Sequence, residues 1–209
     1  KYGFDGWFIN QETEIGLTKT HADLMKELIV EFKEKTSNEL EVMWYDSMTN
    51  EGKMDWQNAL TEKNQDYLVD ADLNPVADSM FLNFWWNTDR LASQDLLRKS
   101  KEKAETLGID PYDLFAGIDV QERGYDTPVR WNLFADNQGT PYTSLGLYVP
   151  SWTYSSASDP NEYQQKEEKF WVNNQHDPTK SVLPEGTEWP GISTFAVEQT
   201  AITQWPFVT

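Results

Sequence analysis

The most constraining feature of this chain is an alternation of β-rich and helical runs along its 209 residues. The β-rich runs are residues 2–9, 40–45, 79–86, 113–120 and 144–149. Helical patterns follow the first, third and fifth of these runs, and polar loops follow the other two. Strands that alternate with helices form parallel sheets with the helices packed outside. The pattern therefore predicts an α/β fold.

Helices are predicted from apolar residues at helical spacing and from capping signals, over residues 20–35, 88–107 and 159–172. The third has the clearest start, because Asp159 is a favoured N-cap and Pro160 fits the first helical position. Thr20 and Thr88 are the predicted N-caps of the other two helices. Gly108 is expected to end the second helix.

Polar and aromatic residues cluster at the carboxyl ends of the predicted strands: Asn10 and Glu12, Tyr45 and Asp46, Trp85 and Asn87, Asp119 and Glu122, Tyr148 and Trp152. In a (β/α)8 barrel this rim carries the active site. Five strands are found in the sequence, whereas such a barrel needs eight. We therefore expect roughly the last five strands of a TIM barrel, with three further strands on the N-terminal side.

The abrupt start on a β-rich run agrees with a partial barrel. Residues 1–190 are then expected to be the C-terminal portion of the barrel, with the N-terminal half, in the same chain or another, as a partner. Residues 191–209 return to β-like residues and are expected to lead toward a following β-rich domain. An open doubly wound sheet is the alternative, which is weakened because no glycine-rich phosphate loop follows any strand.

The charge of the chain excludes two classes of partner. It has 17 Lys and Arg against 35 Asp and Glu, a formal charge of −18 at pH 7. Such a surface repels phosphate backbones and anionic lipids, so neither nucleic acid nor a membrane surface is expected to bind. The sequence has no run of about 18 apolar residues, so membrane insertion is not expected. Ten Trp, nine Tyr and ten Phe supply enough apolar surface for a folded chain.

Neither a metal ion nor an organic cofactor is expected. Cysteine is absent from the sequence, which excludes disulfides, thiolate zinc sites and a cysteine nucleophile. The two histidines, His21 and His176, are isolated in the sequence, which argues against a histidine metal site.

The end of the first strand carries the strongest candidate for chemistry. Side chains alternate faces along a strand, so Asn10 and Glu12 share a face with Phe8. At ~3.3 Å rise per residue their Cα atoms lie roughly 6–7 Å apart, about the distance between the reacting centre of a sugar ring and its 2-substituent. Composition alone leaves a plain alternative, in which both residues only begin a solvated loop.

The same strand carries a family resemblance. Residues 3–12, Gly-Phe-Asp-Gly-Trp-Phe-Ile-Asn-Gln-Glu, resemble the catalytic strand of the endo-β-N-acetylglucosaminidases of glycoside hydrolase family eighty-five. They are also similar to the chitinase pattern D-G-x-D-x-D-x-E, with Phe8 and Asn10 in place of its inner Asp residues, and Asn10 distinguishes the two. Further similar segments follow in order, at residues 42–47, 84–85, 117–120 and 147–152.

The resemblance implies an endo-β-N-acetylglucosaminidase that cuts between the two GlcNAc residues of the N-glycan core with retention. In that family the 2-acetamido oxygen of the substrate is the nucleophile, so one protein acid suffices. Glu12 would protonate the leaving oxygen and, after the oxazolinium intermediate forms, deprotonate the incoming water. Asn10 would hold the acetamide N–H and disperse charge on the amide. A neutral Asn also leaves the intermediate longer-lived toward alcohol acceptors, which implies transglycosylation.

Aromatic residues are the expected sugar-binding groups. The resemblance implies that Tyr45 hydrogen-bonds the acetamide oxygen, and that the substrate subsites include Trp56, Phe84, Trp85, Tyr148 and Trp152. A flat indole face suits the C–H face of a pyranose. The alternative interpretations are a core role for Tyr45 and simple packing roles for Trp56 and Trp85.

Two other functions remain open from the sequence. A two-carboxylate retaining glycosidase would pair Glu12 with a nucleophile, for which the candidates are Asp46, Asp119 and Glu122. A non-catalytic carbohydrate-binding module would use the aromatic rings alone. The expected partner is the N-glycan of glycoproteins. The protein is expected to be secreted and to lie outside the cell or on a bacterial cell wall. The cytoplasm is the alternative location.

Overall fold

The strands occupy the predicted places but are shorter than their sequence patterns. The computed structural model describes residues 3–173, 178–179 and 189–195. Within them the strands are β1 (Gly6–Ile9), β2 (Glu41–Tyr45), β3 (Ser79–Phe81), β4 (Leu114–Asp119) and β5 (Ser144–Tyr148). The largest difference is at β3, which was expected to continue to residue 86. It ends at Phe81 because Asn83 adopts a left-handed backbone with φ 68°, which no strand can include.

The five strands form one sheet in the order β1-β2-β3-β4-β5. The first four pair in parallel, and in this register Ile9 lies beside Trp44 and Tyr45 lies beside Phe81. Parallel neighbours need a crossover connection between them, which is the arrangement that alternating strands and helices predict. The α/β fold is therefore confirmed. The carboxyl ends of these strands lie along one edge of the sheet.

The α-helices of the described residues are α1 (Lys19–Lys35), α2 (Leu96–Leu107), α3 (Trp152–Ser155) and α4 (Pro160–Trp171). Short 3₁₀ turns lie at Gln65–Tyr67, Trp85–Asn87, Ala92–Gln94, Pro111–Asp113, Gly124–Asp126, Trp131–Leu133 and Ile192–Phe195. The start of α4 is confirmed, because a carboxyl oxygen of Asp159 accepts the N–H of Asn161 at 2.8 Å and of Glu162 at 3.0 Å. The one-turn helix α3 was not predicted.

The predicted start of α1 at Thr20 is wrong by two residues. Thr18 is the N-cap, with an extended backbone, and α1 begins at the next residue. The N–H of Thr18 donates to Nδ1 of His21 at 3.2 Å. A side chain that returns to the N-cap amide in this way satisfies a group that the first turn leaves free, which moves the helix start toward the N-terminus.

The predicted start of α2 at Thr88 is also wrong. The hydroxyl of Thr88 donates to the carbonyl of Trp85 at 2.9 Å, so it closes the preceding turn instead of capping a helix. Asp95 then adopts a left-handed backbone with φ 53°, which interrupts the helical run immediately before α2. The predicted end is confirmed, because Gly108 terminates α2 with φ 72°.

Two compact units make up the chain: residues 1–117 with 142–146, and residues 118–141 with 147–209. The second unit contains α3, α4 and the 3₁₀ turn Ile192–Phe195, which lies where β-like structure was expected. Residues 196–209 and His176 lie outside the described residues. Within the described residues, no helix combines the length and the apolar composition needed to cross a bilayer.

One face of the sheet in the first unit is covered by helix and loop. Val42 and Trp44 of β2 are completely buried, and α1, with Ile29 also buried, packs on this strand. The ring of Trp44 stacks on Tyr67 with centroids 4.0 Å apart. Burial of these large rings is the main source of stability for this layer, since each contributes well over 100 Å² of apolar area.

The other face of the sheet carries an aromatic cluster formed by Phe8, Tyr45 and Phe81. Their ring centroids are 5.7 to 5.9 Å apart. Two glycines make room for Phe81: a Cβ added to Gly117 of β4 or Gly146 of β5 would lie 2.5 or 2.4 Å from its ring. Phe8 belongs to β1, the strand that Asn10 and Glu12 follow.

Candidate active site

The two residues at the end of β1 are in direct contact. Nδ2 of Asn10 donates to Oε2 of Glu12 at 3.1 Å, and both side chains are exposed. β1 ends at Ile9, so Asn10 and Glu12 lie just beyond the strand, and their hydrogen bond brings them together without testing the predicted strand alternation. Because the amide nitrogen of Asn10 is bound to Glu12, its carbonyl oxygen is left as an acceptor for an incoming N–H group.

The second contact of Glu12 comes from a loop. The indole Nε1 of Trp56 donates to Oε1 of Glu12 at 3.3 Å, so each carboxyl oxygen has one N–H donor. Trp56 also meets Trp85 edge to face, with ring centroids 5.3 Å apart. Trp85 lies in the 3₁₀ turn after β3 and is 43% exposed. The structure thus joins Asn10, Glu12 and the two predicted tryptophans in one group.

Tyr45 joins the same group from β2. Its hydroxyl donates to Oδ1 of Asn83 at 3.0 Å. Burial raises the pKa of Tyr45 well above its ordinary value, and the negative charge of Glu12 raises it further. Tyr45 is therefore a neutral hydroxyl at any physiological pH. Tyr45 is 6% exposed and packs on Phe8 and Phe81, so the core role stays open beside a role in the site.

Phe84 lies beside this group. Its N–H donates to Oδ1 of Asn83 at 2.8 Å, and its ring contacts Phe81 edge to face at 5.3 Å. Phe84 is half-buried, so part of its ring remains available to a ligand. The aromatic side chains predicted from the first unit therefore all lie at the edge where β1, β2 and β3 end.

Asp46 has a different environment from the exposed Glu12. It is 1% exposed, and its oxygens accept the N–H of Asn58 at 2.6 Å and Nδ2 of Asn64 at 2.9 Å. Burial raises the pKa of Asp46 to about 7, although hydrogen bonds from Asn58, Asn64 and the amide of Gln57 act in the opposite direction. Its burial and these hydrogen bonds leave Asp46 poorly placed for attack on a sugar carbon.

The remaining predicted residues belong to the second unit. Trp152 packs edge to face on Tyr125 with centroids 5.0 Å apart, and the Nζ of Lys166 lies 5.1 Å from its ring. Tyr148 is half-exposed at the end of β5. Asp119 accepts the N–H of Gln121 at 2.9 Å, so its carboxyl caps a turn. For Trp152 these contacts show packing within its own unit.

Three buried asparagines were missed by sequence reasoning. Asn58, Asn64 and Asn83 are each less than 4% exposed, and each bonds to a residue of the site or to its loops. Two of them, Asn58 and Asn83, have positive φ, which Asn tolerates better than other side chains. An asparagine two residues after a buried strand, as Asn83 is after β3, was the available signal. No cluster of three metal-binding side chains occurs among the residues that the structure describes.

A family model described as glycosyl hydrolase family 85 matches residues 1–209. The chain belongs to this family. The resemblance drawn from residues 3–12 is thereby confirmed.

Curated relatives of this family 85 chain carry the name cytosolic endo-beta-N-acetylglucosaminidase. It is 31% identical over 175 residues to enzyme 2 of Arabidopsis thaliana, which covers 81% of the chain and 22% of the relative. It is 28% identical over 193 residues to the Gallus gallus protein, and this match covers 90% of the chain and 24% of the relative. The chain spans about a quarter of the length of these relatives. The expectation of a secreted protein is wrong on this comparison, because the relatives are named as cytosolic.

A solved structure supports the fold. The glycoside hydrolase domain of Endo-D from Streptococcus pneumoniae R6 superposes with a TM-score of 0.76 and 32% sequence identity. The superposition covers 92% of this chain and 30% of that one. The parallel sheet and its connections are therefore similar to those of a family 85 domain.

Proposed function

We propose that this chain carries the catalytic edge of an endo-β-N-acetylglucosaminidase that acts on the N-glycans of glycoproteins. The reaction is hydrolysis of the GlcNAc-β1,4-GlcNAc bond with retention, through an oxazolinium intermediate. Family membership and the names of the relatives support the activity. The observation that carries the mechanism is the exposed Glu12, held by Asn10 at 3.1 Å and by Trp56 at 3.3 Å.

In the first step the substrate supplies its own nucleophile. The free carbonyl oxygen of Asn10 accepts the acetamide N–H, which turns the acetamide oxygen toward the anomeric carbon and stabilises the charge that develops on the amide. Glu12 protonates the leaving O4 as the glycosidic bond breaks. Tyr45, neutral and close to both residues, contacts the acetamide from the side of β2. The subsites around it contain Trp56, Phe84 and Trp85, with Tyr148 and Trp152 as further proposed contacts.

In the second step Glu12 acts as a base. It removes a proton from water, which attacks the anomeric carbon and opens the oxazolinium ring with net retention. An alcohol in place of water gives transglycosylation. Asn10 is neutral and cannot form an ion pair with the oxazolinium, so we expect the intermediate to survive long enough for acceptors to compete.

The environment of Asp46 favours this substrate-assisted route over a two-carboxylate mechanism. Asp46 lies next to Tyr45 in sequence and would be the nearest second acid, but it is buried and its oxygens are engaged by Asn58 and Asn64. Inverting and retaining two-carboxylate enzymes both need a second acid facing the sugar. Glu12 is exposed and accepts a hydrogen bond from the indole of Trp56 at 3.3 Å.

We also propose that residues 1–190 are the C-terminal portion of a (β/α)8 barrel whose N-terminal half completes it. The strand order has no reversal, which is typical of a barrel and differs from a doubly wound sheet. β1 is the end strand of the sheet, and its Trp7 is 64% exposed. Leu24 and Leu28 of α1 are also exposed, as expected for a face that another crossover helix covers. Residues 191–209 remain a predicted exit toward a β-rich domain.

The function is tested by treating a panel of N-glycopeptides with the intact protein and measuring the masses of the products by mass spectrometry. We expect peptides that retain one GlcNAc, and inhibition by a thiazoline analogue of the oxazolinium. Release of the whole glycan, or of single terminal sugars, would contradict endo-cleavage. Cleavage that the thiazoline does not inhibit would favour the two-carboxylate alternative. The cytosolic names of the relatives support the cytoplasm as its location.

A further inference from the structure

Asn58 connects the two tryptophans of the site. It lies in the loop between β2 and β3 and is 3% exposed. Its Nδ2 donates to the carbonyl of Trp56 at 3.3 Å, and its Oδ1 accepts the N–H of Trp85 at 3.2 Å. One amide side chain therefore holds its own loop to a backbone segment 27 residues further along the chain.

Asn58 is itself anchored to the sheet. Its backbone N–H donates to Oδ2 of Asp46 at 2.6 Å, directly after the end of β2. The other oxygen of Asp46 accepts Nδ2 of Asn64, which also donates to the carbonyl of Ala59. The loop is thereby tied to the same strand that carries Tyr45. Buried polar groups that are satisfied in this way give a loop one preferred position.

The backbone conformation of Asn58 does not by itself require an asparagine. Its φ is 54°, a left-handed conformation that glycine adopts more easily than any other residue. Glycine would also keep the N–H that binds Asp46. The backbone alone therefore does not explain an asparagine, whereas the two side-chain bonds to Trp56 and Trp85 do.

We propose that Asn58 is a positioning residue that fixes the spacing of Trp56 and Trp85 and, through Trp56, the orientation of Glu12. The route consists of the Asn58–Trp56 bond, the Trp56–Glu12 bond and the edge-to-face contact of the two indoles. Asn58 is 3% exposed, and its hydrogen bonds go to Asp46, Trp56 and Trp85. This inference rests on the proposed function for its effect on catalysis, but its structural part can be tested without substrate.

The structural part is tested with Asn58→Gly and a matched control, Asn38→Gly. Asn38 also has a left-handed φ, of 56°, but it is exposed in the turn after α1. Glycine adopts the left-handed φ at either position without strain, and both substitutions raise the conformational entropy of the unfolded chain by the same amount. In protein labelled with fluorotryptophan, the ¹⁹F resonances of Trp56 and Trp85 are assigned from Trp56→Phe and Trp85→Phe. We expect Asn58→Gly to shift or broaden both resonances and Asn38→Gly to leave both unchanged.

The catalytic part is tested by steady-state kinetics on an N-glycopeptide. We expect Asn58→Gly to lower kcat/KM by roughly ten- to a hundredfold, since small misplacements of reacting groups have effects of this size. Asn38→Gly should match the wild type. If Asn58 acts through Trp56, adding Asn58→Gly to Trp56→Phe should reduce kcat much less than it does in the wild type.

The possible results distinguish failure of the positioning role of Asn58 from failure of the proposed function. Unchanged ¹⁹F resonances in Asn58→Gly, or fully additive effects in the double variant, would overturn the inference. A wild-type protein that shows no endo-cleavage but whose ¹⁹F resonances respond as expected would contradict the proposed function and leave the positioning role intact. If Asn58→Gly does not fold, Asp46→Asn serves instead, because it weakens the anchor of Asn58. In Asp46→Asn the ¹⁹F resonances of Trp56 and Trp85 should shift in the same direction as in Asn58→Gly, by a smaller amount.

Discussion

The hydroxyl of Tyr45 donates to Oδ1 of Asn83 at 3.0 Å, and the same oxygen accepts the N–H of Phe84 at 2.8 Å. The backbone donor fixes the orientation of the Asn83 amide, because a flipped amide would place Nδ2 against the Phe84 N–H. The proton of Tyr45 is therefore directed at Asn83. To donate to an acetamide oxygen, the hydroxyl must first turn away from this partner.

Asn83→Gly tests this relationship. Glycine accepts the φ of 68°, so the change removes only the side chain. We expect a loss of about 1–3 kcal/mol in the free energy of unfolding, because the N–H of Phe84 loses its acceptor. The loss is measured by urea denaturation. In the Tyr45→Phe background the same change should cost less, and equal losses in both backgrounds would show that Tyr45 and Asn83 are not coupled.

Glu12→Gln tests the general acid and base. A missing general acid lowers the rate by ~10²–10⁴-fold, and we expect a loss of this size in kcat on a natural N-glycopeptide. The amide keeps the shape of the side chain, so binding of the thiazoline analogue should change little. A substrate whose leaving group needs no protonation should recover part of the first step. Near wild-type turnover on the natural substrate would exclude Glu12 from this role.

Asn10→Ala separates the two chemical steps. Without the amide, the acetamide is no longer oriented, so we expect loss of cleavage of the natural glycan. Transfer from a preformed oxazoline donor should persist, because Glu12 remains to activate the acceptor. The two rates are compared on the same preparation. Equal losses with both donors would refute this division of roles between Asn10 and Glu12.

Two adjacent tryptophans provide a contrast between binding and packing. Trp85 is 43% exposed, whereas Trp86 is 1% exposed and donates to the carbonyl of Gly117 at 2.9 Å. We expect Trp85→Ala to weaken glycan binding by about 1–3 kcal/mol, by analogy with base–aromatic stacking. Trp86→Ala should instead cost about 3–5 kcal/mol of stability. Calorimetric titration and thermal melting distinguish them, and a large loss of Tm in Trp85→Ala would place that ring in the core.

Asp46 makes the stability of the protein depend on pH. Its pKa is raised by burial from 3.8 to about 7, with a smaller contribution from the charge of Asp55. The folded state therefore binds the proton more tightly than the unfolded state does, so the Asp46 contribution to stability falls as pH rises from about 4 to about 7. Asp46→Asn should remove this component. The measurement is the free energy of unfolding of both proteins at several pH values, and parallel pH profiles would contradict the assignment.

Much of the fold followed from local patterns, because strand positions depend on short β-rich runs that the parallel sheet then buries. The start of α2 did not, since Asp95 and the Trp85–Thr88 turn are fixed by contacts that helical spacing does not encode. The proximity of Asn10 and Glu12 was predictable because they lie two residues apart at the end of a β-rich run, although β1 itself ends at Ile9. Asn58 could not be found in this way, as its partners Asp46 and Trp85 meet it only after folding.

Gly117 and Gly146 have no side chain, so the ring of Phe81 can pack against β4 and β5 within the aromatic cluster that contains Tyr45. Phe81 fills the space left by both glycines and in turn contacts Phe8 and Tyr45. A Cβ at Gly117 or Gly146 would lie 2.5 or 2.4 Å from the Phe81 ring, so either substitution forces a shift in the packing around Tyr45. Under the proposed function, β4 and β5 therefore give protein engineers a way to alter the surroundings of Tyr45 that leaves Asn10 and Glu12 unchanged.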